Sequence, residues 1–208
     1  MDHPPPLDAA MGDAALKDAA LDDTVLAALP DIQTVTPTGR SVAAVIDGVM
    51  VHAPVNHVDH RGRVFEVFAG ESPFWRDPVV YCYAWSIRPG TSKGWGLHQE
   101  KDDRYTLISG EALTVLYDAR TTSPTHGVVQ KVPLSPQGAR QLLIPRGVWH
   151  CTVNLSVWET FLINHPTHVY RHEEPDRLLL PWDSPAIPVD LAALFPTQGA
   201  AGRCGECS

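Results

Sequence analysis

Hydrophobic positions between residues 42 and 164 fall in short runs and not at the spacing of helices. The runs are rich in Val, Ile, Leu and aromatic residues, and Gly, Pro, Asp or Ser stands between them. Short strands at close intervals are typical of a β-sandwich or barrel, so the chain is predicted to be all-β. The predicted strands are Val42–His52, Val64–Phe68, Val79–Ile87, Tyr105–Ser109, Ala112–Tyr117, Val128–Leu134, Gln141–Ile144, Val148–Val153 and Val157–Ile163.

The regions on either side of these strands have a different composition. Residues 1–35 are rich in Ala, Asp and Pro, and a loose helical face there predicts a partly helical appendage. Residues 36–195 are expected to form one barrel domain, whose proline-rich last part crosses the outside of the barrel with a short helix near Leu191–Leu194. Residues 196–208 are predicted to be a flexible tail. The helical face consists of Leu16, Leu21, Val25 and Leu29.

Composition narrows the class of protein. The chain has 208 residues, 16 Lys and Arg against 24 Asp and Glu, and a net charge of −8, which disfavours binding to nucleic acid. No apolar run approaches the roughly 18 residues of a membrane span, and the acidic start is unlike a signal peptide, so a cytoplasmic protein without membrane contact is expected. Cys82 and Cys151 lie in apolar runs typical of buried thiols, and Cys204 and Cys207 are assigned to a solvated tail.

Two histidines on neighbouring predicted strands carry the strongest chemical signal. His98 lies in the segment Gly96–Asp103, and His150 lies in Pro145–Asn154, where a proline and a glycine make a tight turn into a strand. Residues that alternate along a strand of a small barrel point inward, toward a space that holds one ligand. The second segment matches the second cupin motif. The sequence therefore predicts a cupin (jelly-roll) barrel with short peripheral helices, in which both imidazoles face one cavity.

A metal site is the alternative use of these residues. The first cupin motif normally supplies His-x-His and then Glu, and the corresponding places here hold His98, Glu100 and Asp103. His98, Glu100 and His150 are ligand types that a metal-dependent cupin enzyme would use. Since a histidine is missing and Lys101 or Arg104 would repel a cation if turned inward, the sequence predicts no metal and no cofactor.

Five segments in the same order give a family resemblance. The chain resembles the dTDP-4-dehydrorhamnose 3,5-epimerase family, a cupin-fold family, from about residue 46 to residue 190. The first segment follows the family's D-x-R-G-x-F-x-E opening with Val64 in the place of its Phe, and the third follows D-x-R-x-x-S-P-T-x-G. The segments are Asp59–Phe68, Gly96–His98, Asp118–Gly127, Ile144–His150 and Trp182–Pro185.

The resemblance implies the role of each site residue. It makes His98 the base that removes protons beside a sugar ketone, supported by an acid for which Asp183 is the candidate because Ser184 fills the usual place. It puts Asp103 where the family has a lysine, and Arg104 beside it is the alternative source of positive charge. It puts Leu162 or Ile163 where the family has a proton-donating tyrosine. The catalytic candidates are His98, His150 and Asp183, and the substrate-binding candidates are Arg61, Glu66, Arg104, Tyr105 and Trp95.

The expected function is that of an epimerase or isomerase with a degenerate 3,5-epimerase site, acting on a dTDP-4-keto-6-deoxy sugar as a homodimer that exchanges or pairs its first strands. With the tyrosine lost, Tyr105 is the nearest substitute, and proton exchange or isomerisation is expected rather than inversion at two carbons. Trp85 is expected in the core or the lining, and Glu173–Asp176 in a solvated loop. A metal-dependent cupin enzyme and a non-catalytic sugar-nucleotide binding protein remain the alternatives.

Overall fold

A computed structural model describes residues 33–194 of the chain. The chain divides into two compact units, Met1–Val42 and Ala43–Ser208. In the first unit the described residues hold an isolated bridge between Val35 and Ser41. The predicted helical face near the amino terminus and the predicted tail 196–208 lie outside the described residues, and the predicted domain limits stay a prediction.

The second unit is built of β-strands that pair antiparallel. They are β1 (Met50–His52), β2 (His57–Asp59), β3 (Gly62–Val64), β4 (Tyr83–Ile87), β5 (Ser92–Leu97), β6 (Asp103–Ser109), β7 (Ala112–Asp118), β8 (Val129–Leu134), β9 (Gln141–Ile144), β10 (Val148–Asn154), β11 (Thr160–Asn164) and β12 (Leu178–Leu179). Two 3-10 helices, Pro73–Trp75 and Ala192–Leu194, complete the regular structure of the described residues.

The strands form two five-stranded sheets and one hairpin. The first sheet has the order β1-β9-β6-β11-β4, the second has the order β12-β5-β10-β7-β8, and β2 pairs with β3. Buried apolar side chains from both sheets make one core cluster, which includes Leu107, Leu116, Leu142 and Leu162. This arrangement confirms the all-β prediction, because each sheet buries the apolar face that its alternating pattern provides.

The outer face of the second sheet is also covered. Trp95, Val115 and Cys151 pack there against Ile187 and Leu191 of the proline-rich segment. The prediction that this segment crosses the outside of the barrel and ends near a short helix is therefore confirmed. Burial raises the pKa of the Cys151 thiol to about 11, as expected of an enclosed thiol.

Several predictions of local structure are wrong. Val42–His52 contains a strand only at its end, and Val64–Phe68 contributes only Val64, as the last residue of β3. His98, expected on a strand within Gly96–Asp103, lies directly after β5. The first part of β5 had no strand signal, because Gly94 and Gly96 weaken its β-pattern. Cys82 is exposed, although its apolar neighbours indicated a buried thiol. Within residues 33–194, no helix has the length and apolar character needed to cross a bilayer.

Candidate active site

A cavity of about 410 Å³ lies among strands of both sheets. β4 and β6 supply one wall, β5 and β10 supply the other, and the segment 170–177 contributes to the rim. The side chains that line the cavity are those of Tyr81, Tyr83, Trp85, Lys93, His98, Lys101, Asp103, Tyr105, His150, Tyr170, His172 and Arg177.

The alternation of side chains along β5 and β10 brings the two histidines together. His98 lies two residues after Gly96 and is directed to the same side. His150 in β10 pairs with Gly96 in β5. A Cβ atom at position 96 would lie 3.3 Å from His150 Nε2, so the glycine leaves room for the imidazole. The ring centroids of His98 and His150 are 5.5 Å apart.

Asp103 joins these two imidazoles from the opposite sheet. Its Oδ2 atom lies 3.3 Å from His98 Nε2 and 3.7 Å from His150 Nε2. Tyr105 donates its hydroxyl proton to the same oxygen at 3.3 Å, and Asn164 donates to Oδ1 at 2.8 Å. Burial opposes ionisation of Asp103. Once protonated, His98 donates from Nε2 to Oδ2, and this hydrogen bond and the charges of protonated His98 and His150 outweigh burial and hold the pKa of the Asp103 carboxyl well below its usual value.

Main-chain carbonyl groups fix the outer nitrogen of both rings. His150 Nδ1 lies 3.2 Å from the carbonyl oxygen of Val148, and His98 Nδ1 contacts the carbonyl oxygen of Asp176. A carbonyl oxygen only accepts, so both Nδ1 atoms carry the proton. Burial lowers the pKa of His150 to about 4, and the neutral ring therefore directs an unprotonated Nε2 into the cavity at neutral pH.

Asp176 also fixes the chain that follows β5. Its carboxylate accepts the backbone N–H groups of Gln99, Glu100 and Lys101 at 2.8, 3.0 and 3.2 Å. The prediction that Glu173–Asp176 is only a solvated loop is therefore wrong at its last residue. The segment holds His98 in place, and Arg177, the next residue, lines the cavity.

Tyrosine hydroxyl groups reach the cavity from the first sheet. Tyr83 accepts a hydrogen bond from Asn164 at 2.9 Å, and burial raises the pKa of Tyr83 to about 12. Burial also raises the pKa of Tyr105 well above its usual value. Both hydroxyls hold their protons at neutral pH and can donate hydrogen bonds. The buried indole nitrogen of Trp85 has no hydrogen-bond partner among the described residues.

Comparison with known proteins assigns the chain to a family. The family model for dTDP-4-dehydrorhamnose 3,5-epimerase matches residues 43–201. The chain belongs to the dTDP-4-dehydrorhamnose 3,5-epimerase family. Its fold is the cupin jelly roll, as predicted, and the proteins similar to it include a dTDP sugar isomerase and a dTDP-4-dehydro-6-deoxyglucose 3-epimerase.

Individual relatives agree with this assignment. The spore coat polysaccharide biosynthesis protein SpsL of Bacillus subtilis is 31% identical over 142 residues, which are 68% of this chain and 93% of SpsL. The probable low-salt glycan biosynthesis epimerase Agl13 of Haloferax volcanii is 30% identical over 129 residues, covering 61% of this chain and 82% of Agl13. A dTDP sugar isomerase from Desulfovibrio desulfuricans superimposes with a TM-score of 0.66 at 25% identity, covering 71% of this chain and 92% of the isomerase.

Two residues expected in this family's substrate site point away from the cavity. Arg104 is buried on the other face of β6, where it donates to the carbonyl oxygens of His165, Asp77 and Pro78 at 2.7, 2.6 and 2.9 Å. Trp95 lies in the outer cluster and donates to the carbonyl oxygen of Trp182 at 3.2 Å. Neighbouring residues of a strand face opposite sides, so Arg104 cannot share the cavity with Asp103 and Tyr105.

Other expected site residues lie elsewhere on the chain. Asp183 is exposed and does not line the cavity, so its place beside His98 is taken by Asp176. Arg61 pairs with Asp59 at 2.5 Å in the exposed β2–β3 hairpin, beside a separate open hollow of about 690 Å³. Glu66 is exposed. Glu100 pairs with Arg171 at 2.8 Å on the surface and is absent from the cluster of His98, Asp103 and His150.

The sequence did not indicate every residue that lines the cavity. Tyr83 and Lys93 lie on β4 and β5, and no motif marked them. Arg177 follows a run of acidic residues with one proline, Pro175, that is typical of a surface loop. The one available signal was the spacing of Tyr83 and Trp85. They lie two residues apart on a predicted strand, so both side chains face the same side, and both reach the cavity.

Proposed function

We propose that the protein moves a proton on a carbon beside the ketone of a nucleotide-linked 4-keto-6-deoxy sugar, with His98 as the base. The observation that carries the proposal is the position of His98 Nε2, which faces the cavity 3.3 Å from the Asp103 carboxylate. The Asp176 carbonyl holds the Nδ1 proton, so Nε2 of the neutral ring can accept one. Asp103 then stabilises the imidazolium that forms.

The facing wall supplies groups for the other half of the reaction. An enolate oxygen needs hydrogen-bond donors, and β4 supplies the hydroxyl of Tyr83 and the indole N–H of Trp85. The hydroxyl of Tyr105 on β6 can join them when it turns away from Asp103. His150 presents an unprotonated Nε2 that can accept a hydrogen bond from a sugar hydroxyl. These donors and this acceptor support a cavity built for a polar ring beside a ketone.

Cationic side chains at the cavity suit the diphosphate of the substrate. Lys93, Lys101 and Arg177 line the cavity, while Trp95, a substrate-binding candidate from the resemblance, faces outward. Arginine and lysine are the usual partners of phosphate oxygens. A related 3'-monoepimerase from Streptomyces bikiniensis, 23% identical with a TM-score of 0.62 and covering 71% of this chain and 76% of that chain, was solved in complex with dTDP-quinovose. We infer a dTDP-sugar ligand for this chain as well.

The expected product follows from the missing tyrosine. Leu162 is buried in the core, and neither it nor Ile163 has a hydroxyl. Tyr83 and Tyr105 donate from other strands, so the proton returns from a different direction than in the family pattern. We therefore expect exchange or isomerisation at one carbon to be faster than inversion at two.

The test follows deuterium. The protein is incubated with dTDP-4-keto-6-deoxyglucose in deuterated water, and NMR records incorporation and the configuration of each carbon. His98→Asn should slow exchange about 10²–10⁴-fold, because that is the usual contribution of a general base. The exposed His168, changed to Gln, is the matched control and should leave the rate unchanged.

Two results would contradict parts of this proposal. Rapid formation of the doubly inverted product would show that a complete acid operates in this cavity. Binding of the dTDP-sugar with no exchange, equal in wild type and His98→Asn, would favour the non-catalytic binding protein.

We further propose that the working form is a homodimer, as the family resemblance implies. Arg61 lies outside the cavity of its own chain, in a hairpin where Val58 and Val64 are exposed. In a dimer that pairs first strands, this hairpin can reach the cavity of the partner. Analytical ultracentrifugation should give twice the chain mass, and Arg61→Ala should raise KM about tenfold with little effect on kcat. A monomer with full activity would disprove this arrangement.

A further inference from the structure

We propose that His98 Nε2, His150 Nε2 and Asp103 Oδ2 form a binding site for one divalent transition-metal ion such as Zn²⁺, and that the bound ion blocks the base. The proposal goes beyond the isomerase function, because ion binding requires no sugar substrate. It departs from the sequence-based expectation of a metal-free cavity. Of the two acidic residues at the first cupin motif, Glu100 and Asp103, it uses only Asp103.

The distances in the cluster match those of a metal site. Zinc bonds to nitrogen and oxygen of about 2.0–2.2 Å at tetrahedral angles place neighbouring ligand atoms about 3.4 Å apart. The two imidazole nitrogens lie 3.3 and 3.7 Å from Asp103 Oδ2, and the three ligand atoms all lie within 4.8 Å of one another. Both nitrogen–oxygen distances are therefore close to the spacing of two ligands on one ion.

The hydrogen bonds around the cluster also prepare it for a metal. Histidines that bind metals almost always donate their other ring N–H to a carbonyl or carboxylate, which directs the free nitrogen to the ion. Both rings do so here, to the carbonyl oxygens of Asp176 and Val148. Asn164 fixes the second oxygen of Asp103 at 2.8 Å and leaves Oδ2 toward the rings.

The chemistry of the donors and the electrostatics agree with a cation. Two imidazoles and one carboxylate, with open positions toward a cavity, suit Zn²⁺, Fe²⁺ and Co²⁺. Asp103 is buried and ionised, and the one charge that could offset it from the neighbouring position, Arg104, points to the other face of β6. Lys101 and Arg177 line the same cavity and weaken the attraction without occupying the cluster.

An ion in this place changes what the cavity can do. It uses the lone pair of His98 Nε2, which the proposed base needs for the proton of the substrate. The loaded protein should therefore show suppressed proton exchange, and removal of the ion should restore it. The consequence distinguishes this cluster from a metal site at the surface, which would leave exchange unaffected.

The test is a titration of the full chain after chelation and dialysis. All proteins carry Cys204→Ser and Cys207→Ser, because a C-x-x-C pair can bind zinc independently. Calorimetry with Zn²⁺ alone, and the visible absorption of Co²⁺, report binding. We expect one ion per chain, at least tenfold weaker binding in Asp103→Asn and in His150→Gln, and unchanged binding in Glu100→Gln. One equivalent of Zn²⁺ should suppress deuterium exchange at least tenfold, and EDTA should reverse it.

Each part of the proposal can fail separately. No binding by the double Cys→Ser protein, or equal binding by Asp103→Asn and wild type, would overturn the site. If Asp103→Asn does not fold, His150→Gln and the Co²⁺ spectrum decide, since a spectrum of fully hydrated Co²⁺ overturns the site. Exchange that zinc leaves unchanged or stimulates would overturn the block of His98. A metal-free protein without exchange refutes the isomerase proposal, whereas the calorimetry tests the ion site in either case.

Discussion

Arg104 has a structural role that its place beside Asp103 does not suggest. Its guanidinium is buried, donates to three main-chain carbonyls and lies 5.1 Å from the centre of the Trp75 ring. The rigid fork of donors suits this task, because each nitrogen can meet a separate oxygen. Burial lowers the pKa of Arg104, but an arginine stays charged at neutral pH. The charged guanidinium therefore binds the main chain of Asp77 and Pro78 to the first sheet and does not serve the cavity.

Replacing this side chain should reduce stability more than activity. In Arg104→Met the carbonyls of His165, Asp77 and Pro78 lose their donors, which should lower the free energy of unfolding by about 3 kcal/mol. Urea denaturation measures the change. The exposed Arg88, changed to Ala, should shift it by less than about 0.5 kcal/mol. Equal stability of Arg104→Met and wild type would mean that water satisfies these carbonyls.

The strand β5 depends on two glycines with different tasks. A Cβ at position 94 would lie 2.5 Å from the Cα of Cys151 and 2.6 Å from the carbonyl oxygen of His150, and the φ angle of Gly94 is +139°. A Cβ at position 96 would meet only the side chains of His150 and Arg177, at 3.3 and 3.6 Å. The first glycine lets two backbones approach, and the second makes space in the cavity.

The two alanine variants should therefore behave differently. Gly94→Ala should lower the free energy of unfolding by about 3 kcal/mol, because backbone atoms of β10 cannot move aside. Gly96→Ala should keep most of the stability and lower the rate of proton exchange, because His150 and Arg177 must shift. Thermal unfolding and the deuterium assay separate the two effects. Similar loss of stability in both would refute the distinction between backbone and side-chain neighbours.

The alternation of side chains between the two faces of a strand explains which site residues the sequence could predict and which it could not. The motif around His150 predicted a strand with that ring inside, and the structure has it there. Arg104 and Tyr105 were both predicted to bind the substrate. They are adjacent in β6 and face opposite sides, so only one of them can lie inside the cavity. The prediction for Trp95 was wrong for the same reason, because Gly94 and Gly96 lie at the cavity and the residue between them faces outward. The contacts of Asp176 come from a segment far along the chain, and no local pattern encodes such a contact.

Acid stability should depend on a few buried carboxylates of the barrel. Asp118 at the end of β7 is buried and ionised. Burial opposes its charge, but hydrogen bonds from Arg120, Ser123 and Thr125 outweigh burial and hold the pKa of Asp118 below its usual value of 3.8. A carboxyl with a lower pKa in the folded state stabilises the fold above its unfolded pKa. The contribution is lost as the pH falls from about 5 through the folded pKa.

The pH dependence can be assigned with one variant and its control. In Asp118→Asn the free energy of unfolding should be lower at neutral pH and should fall less steeply between about pH 5 and pH 2. Asp183→Asn removes an exposed carboxyl and should keep the slope of wild type. Urea denaturation at a series of pH values measures both. An unchanged slope in Asp118→Asn would assign the acid sensitivity to other carboxylates.

The carbonyl oxygen that holds His98 Nδ1 belongs to the main chain of residue 176, and every amino acid carries that atom. In an alignment, the amino acid at position 176 can therefore change while the main-chain contact with His98 is kept. At position 184, by contrast, a serine replaces the acid of the family, and this substitution alone suggests an inactive relative. A survey that counts only catalytic side chains will therefore classify such a protein as lacking the partner of its histidine, although a main-chain carbonyl serves as that partner.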